Sequence, residues 1–169
     1  MNLTNKICAV FFTLTAAIAG AQEKKAAASP AETAQGKVNG AAITINYGSP
    51  SVKGREIWGG LVPYGKIWRA GANDATTIET DKDLIVEGKT LPAGKYSIFI
   101  IPEKDEATVI FNKVAKQWGA YKYEEKDDAL RVKVKPVATK EKTEKLVYKF
   151  EENSIVLSWD NWNIPIKVK

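Results

Sequence analysis

The chain has 169 residues, no histidine and a single cysteine, and carries a formal charge of +5 at neutral pH. Without imidazole, and with its one thiol at Cys8 in an N-terminal leader, the sequence excludes histidine bases, thiolate nucleophiles, disulfide staples and the usual zinc or copper sites in the exported part. Neither a metal nor a cofactor is expected. The positive excess is modest, and residues 122–128 and 140–145 interleave both signs, which is the pattern of a solvated surface and not of a nucleic-acid footprint.

Residues 1–6 carry one cation, Lys6, and residues 7–19 form an apolar run; Ala19-Gly20-Ala21 before Gln22 then fits a small-x-small cleavage site. This predicts a secretory signal peptide cleaved near Ala21, and a periplasmic or secreted mature chain with no transmembrane segment. A membrane anchor is the competing reading, but the run is shorter than the roughly 18–20 residues a bilayer requires. Cys8 lies too early in the run to serve as a lipid-carrying cysteine. Residues 22–36 hold Ala, Lys, Glu, Ser, Pro and Gln with no large apolar side chain, so they read as a flexible spacer before a single β domain over 37–169.

From there the chain reads as strands. Residues 42–47 alternate apolar and polar, as a sheet with one buried face requires. Residues 47–73, YGSPSVKGREIWGGLVPYGKIWRAGAN, follow neither a helix nor a strand period. So many turn-formers between patterned regions predict a shaped loop system, where function tends to sit. Two short strands are expected at 76–80 and 83–86, with a tight turn at 87–90. Residues 95–101 are apolar on both faces and read as a central strand; a hairpin then returns through 107–113. A helical turn is an open option near 114–119. Leu130, Val132 and Val134 alternate with cations, and Leu146, Tyr148 and Phe150 repeat that pattern. A last hairpin is expected to turn at residues 160–163. The sum is an all-β antiparallel sandwich or flattened barrel of about nine strands.

Five blocks in order, namely residues 48–73, LPAGKYSIFIIP, VIFNK, QWGAYKY and DALRVKVKP, resemble domain-of-unknown-function family 2911. The resemblance covers nearly all of the chain after the spacer. It implies an exported β domain of Gram-negative bacteria and carries over no catalytic residue.

Chemistry must then be sought in residue types. Trp68 beside Arg69, closed by Gly71 and Asn73, sets an indole and a forked cation on a turn, a pairing suited to a sugar ring, carboxylate or phosphate. Alternation argues the other way, because it sends the two side chains to opposite faces and Trp68 into the core. Lys53 and Arg55, with Ser49 and Arg69, are candidates for an anion pocket, or else an ordinary solvated turn. Asn112, Gln117, Trp118, Tyr121 and Tyr123 place amides and aromatics on one loop, as sugar-stacking platforms do. Trp159 is expected in the core, and the turn residue Trp162 is expected to be the more exposed. Asp74, Glu79 and Asp160 are the carboxylates that a hydrolase would use, although no spacing singles out a pair. The adjacent acids at 124–128 lack the ordered spacing of a calcium loop.

The leading expectation is a non-enzymatic module that binds a small polar, sugar-like or anionic ligand, or an envelope protein, through the 47–73 loops. A carboxylate-dependent hydrolase of glycan or cell-envelope material is the rival, and an envelope scaffold without a small ligand is a third option.

Overall fold

The computed structural model describes residues 29–169; the predicted signal peptide and most of the spacer lie outside the described residues. Ten strands form in chain order: β1 (Ala31–Val38), β2 (Ala41–Gly48), β3 (Thr76–Thr80), β4 (Leu84–Val86), β5 (Lys89–Leu91), β6 (Gly94–Pro102), β7 (Ala107–Asn112), β8 (Asp128–Val134), β9 (Val137–Glu151) and β10 (Ser154–Lys167). All of the strand pairings are antiparallel.

The first layer is a six-stranded sheet in the order β1-β2-β3-β6-β7-β8. The long β9–β10 hairpin forms the second layer, and β4 joins it through Val86 opposite Val168 and paired backbone bonds between Ile85 and Lys169. The core lies between the layers, where Ile43, Ile45, Ile78, Ile98 and Phe111 from the first meet Leu146, Leu157, Trp159, Ile164 and Ile166 from the second. This is an antiparallel sandwich. Strand β6 is covered on both faces, as its double apolar pattern requires: Ile98 and Ile100 join the main core, while Phe99 packs with Ile110 and Ala75 in a smaller cluster outside the sheet.

Local chemistry sets the turns. Asn39-Gly40 and Glu87-Gly88 each carry two positive φ angles and link strands by two residues, the geometry that matches the right-handed twist of a hairpin. Three expectations change. Residues 31–36, read as spacer, belong to β1, which pairs with β2 over its full length; the strand is made by pairing, with Val38 its one large apolar side chain. The turn predicted at 160–163 is not a hairpin. Strand β10 runs through it as an irregularity at Asp160, whose φ is 50°, because β9 is long enough to accompany both halves; the hairpin turn lies earlier, at residues 152–153. Residues 114–119 form no helix, and the one short 3₁₀ turn among the described residues falls at Glu125–Asp127. Among the described residues no helix is long and apolar enough to cross a membrane.

Candidate functional site

Four of the five tryptophans form one cluster. Trp58 stacks on Trp162 with centroids 4.6 Å apart, Trp68 stacks on Trp159 at 5.7 Å, and Trp58 meets both Trp68 and Trp159 edge-on. Trp68 is therefore a core residue: its backbone bridges Ile100 on β6 and its side chain faces the inner layer. Trp162, expected to be exposed, is half-buried against Trp58. The fifth, Trp118, is 63% exposed, and nearby Tyr121 is 87% exposed.

The buried Trp68 still shapes the surface. Its indole N–H donates to the Gly71 carbonyl at 3.1 Å. The neighbouring Ala70 sits at φ 53°, a left-handed conformation that costs an alanine about 1–2 kcal/mol. Its carbonyl accepts hydrogen bonds from Thr76 Oγ1 at 2.9 Å and from Tyr148 Oη at 2.8 Å, so the strained backbone is held from both layers. Gly48 crosses beneath this loop so closely that a Cβ there would come within 2.2 Å of the Ala72 carbonyl oxygen. The result is a rigid shelf at residues 70–75. The loop after β7 is laced to it by Ala75 N–H to Gln117 O, Gly119 N–H to Asn73 O, and the Asp74–Trp118 bridge.

Between this shelf and the outer face of β1, β2 and β3 lies a groove of about 660 Å³. Thr33, Asn46 and Thr77 form part of its floor, and Asn73, Asp74 and Gln117 part of its wall. Its charged lining is balanced, with Glu32 and Asp74 against Lys95 and Lys116. Tyr47 lines one end, its phenol pushed above the ordinary value by burial, against a backbone hydrogen bond at Tyr148 and with the Glu32 charge adding to the rise.

Gln117 is the best-defined member of the wall. It is only 8% exposed. Its Nε2 lies 3.2 Å from Ser97 Oγ, 3.2 Å from Asn112 Oδ1 and 2.8 Å from the Val114 carbonyl. Three acceptors fix the amide orientation, and they leave Gln117 Oε1 buried with no hydrogen-bond partner. A buried acceptor without a partner costs about 1–3 kcal/mol. Behind Gln117, Asn112 donates to Asp128 Oδ1 at 2.9 Å, and Tyr123 Oη donates to Asp128 Oδ2 at 2.7 Å. Burial, reinforced by the Asp128 hydrogen bond, drives the Tyr123 phenol well above its ordinary range.

The expected site residues thus separate. Asn73 lines the groove, Trp118 stands beside it through its bridge to Asp74, and Asn112 supports Gln117 from below. Tyr121 is exposed on the same loop, its ring against Gly119. Lys53, Arg55 and Arg69 do not line this groove. Arg55 spends its guanidinium on the Ser51 and Val52 carbonyls of its own turn, and Lys53 N–H binds Glu144 of β9. Arg69 is half-buried, with Nε lacking a partner. Of the carboxylates, Asp74 lines the groove, Glu79 pairs with Lys95 at 3.2 Å, and Asp160 pairs with Lys142 at 3.0 Å on the second layer. No cluster among the described residues gathers three or more metal-ligating acids or thiols. The floor residues Thr33, Asn46 and Thr77 escaped sequence reasoning. The available signal was Asn46, an amide at an outward strand position where β-propensity disfavours it.

No curated protein and no solved structure matches this chain significantly. The family described as "Protein of unknown function (DUF2911)" matches residues 29–168, nearly all of the described chain. With the five sequence blocks lying within that span, the chain belongs to the DUF2911 family.

Proposed function

We propose that this chain is an exported, non-enzymatic β-sandwich that binds a small, polar, sugar-like ligand in the groove between the 70–75 shelf and the outer face of β1–β3. The observation that carries the reading is a juxtaposition: Trp118, a largely exposed aromatic residue, is bridged through its backbone to Asp74, which lines the groove together with the polar side chains of Asn46, Asn73 and Thr77. A flat apolar face next to convergent polar groups suits the two sides of a pyranose ring. The anionic alternative is less well supported, because Lys53, Arg55 and Arg69 are absent from the lining and the lining charges balance.

A panel of neutral and anionic glycans, titrated against the purified mature chain, tests this. Neutral sugars should bind, Trp118→Ala and Asp74→Ala should weaken them at least tenfold, and Arg55→Ala should change nothing. Binding confined to anions and lost in Arg55→Ala or Arg69→Ala would reverse the assignment.

A second reading has one observation in its favour, since two carboxylates, Glu32 and Asp74, line the groove. A hydrolase built on them would turn over glycan substrates and lose turnover in Asp74→Asn. Bound sugars recovered intact after prolonged incubation would favour the binding module.

A further inference from the structure

One polar row crosses the outer face of the six-stranded sheet. Strand register sets Thr33, Asn46, Thr77, Ser97, Asn112 and Asp128 side by side on successive strands. The two halves of the row differ. Over β6, β7 and β8 it is roofed by the loop after β7, and the roof supplies its partners: Ser97 Oγ donates to Val114 O at 3.0 Å, Gln117 Nε2 reaches Ser97 and Asn112, and Tyr123 donates to Asp128. Over β1, β2 and β3 the same row is the open groove floor. There Thr33 Oγ1 donates to Asn46 Oδ1 at 2.8 Å. Asn46 Nδ2 and Thr77 Oγ1 have no protein partner among the described residues.

We infer that the open half takes a linear, neutral oligosaccharide of about three sugar units laid across β1, β2 and β3, at one unit per strand spacing of ~4.8 Å. Its hydroxyls continue the hydrogen-bonded row that the roof completes on the other half. The inference rests on the groove being the ligand site and adds its occupant's length, direction and charge. Three features support it. The floor offers a donor at Asn46 Nδ2 and a hydroxyl at Thr77 in line across the strands, which matches a repeating polyol better than a single ring. The lining carries two acids and two lysines, so nothing selects a charged chain. Trp118, bridged to Asp74 at the wall, gives the terminal unit an apolar face to stack on, while the β1 end of the row is the open edge of the sheet.

The experiment is calorimetric titration of the mature chain with unbranched neutral gluco-, xylo-, manno- and chito-oligosaccharides of one to four units. For at least one series, affinity should rise at least tenfold from one unit to three and level off at four. In Asn46→Ala, at an exposed position, and in Thr77→Ala, at a half-buried one, the gain from added units should shrink several-fold, with the melting temperature retained. A single sugar bound as tightly as its trimer, or a length dependence that survives both substitutions, overturns the extended occupancy while leaving the groove as a site. If no member of any series binds, the groove reading itself fails.

Discussion

The Tyr148 hydroxyl, on the second layer, donates to the Ala70 carbonyl at 2.8 Å across the sandwich. One buried phenol thereby anchors a strained loop that forms a wall of the surface groove. Thr76 Oγ1 makes the second bond to the same carbonyl, so the two are partly redundant.

Removing either donor alone, by Tyr148→Phe or Thr76→Val, should lower stability by about 1 kcal/mol, the net worth of one hydrogen bond. Removing both leaves the buried Ala70 carbonyl unpaired. The double variant should then lose more than the sum of the singles, by about 1 kcal/mol or more. Urea denaturation of the four proteins measures this.

Gly48→Ala should be among the most damaging single substitutions. The new Cβ meets backbone, the Ala72 carbonyl oxygen, and not a side-chain tip that can swing aside. A loss of about 2 kcal/mol or more is expected in urea denaturation. Gly54→Ala is the useful contrast, because its Cβ meets nothing within 4 Å and only its φ of 68° opposes the change; it should cost about 1 kcal/mol.

Alkaline pH should destabilise the fold. Burial raises the phenols of Tyr47, Tyr96, Tyr123 and Tyr148 above their ordinary value of 10.0. Above pH 10 the unfolded chain releases these protons while the folded chain retains them, so stability is complete below pH 10 and falls as pH rises. One proton held by the folded chain alone sets a limiting slope of about 1.4 kcal/mol per pH unit, which the fully buried Tyr148 approaches most closely. In Tyr123→Phe, denaturation midpoints measured from pH 9 to 11 should decline less steeply than in the wild type.

Gln117→Glu should loosen the loop after β7. The substitution puts a carboxylate oxygen where Nε2 now meets Ser97 Oγ, Asn112 Oδ1 and the Val114 carbonyl. Repulsion from acceptors, with burial, raises the folded-state pKa of the new acid, so its penalty is complete above that raised value, shrinks as pH falls from there towards the unfolded value of about 4.3, and is gone below it. Hydrogen exchange over residues 113–119 should accelerate at pH 7. Exchange as slow as in the wild type would place Gln117 outside the network that holds this loop.

Much of the sandwich was legible because period-two alternation reports burial directly: Ile43 and Ile45, or Leu146 and Tyr148, could face only one way. Strand β1 was not, since Ala31–Val38 contains one large apolar residue and becomes a strand through its pairing with β2. Nor was the unbroken run of β10, because Asp160-Asn161 looks like a turn unless the length of β9 is known. The site was half legible. Gln117, Trp118 and Asn73 announced themselves as amides and an aromatic among turn-formers. Thr33, Asn46 and Thr77 did not, because a row across strands exists only once register is fixed. The Trp68–Arg69 pair misled for the opposite reason: a motif adjacent in sequence is split by the pleat, and the indole serves the surface only through its bond to Gly71.

The central claim is that the exposed Trp118 face meets a bound sugar. Acrylamide quenching of tryptophan fluorescence, with and without neutral oligosaccharide, tests it most directly, because the other four tryptophans are buried or half-buried in their cluster. Saturating sugar should cut the quenching constant of the wild type at least twofold and leave that of Trp118→Phe unchanged. Quenching of the wild type that stays the same while calorimetry reports full occupancy would place the ligand elsewhere and contradict the account.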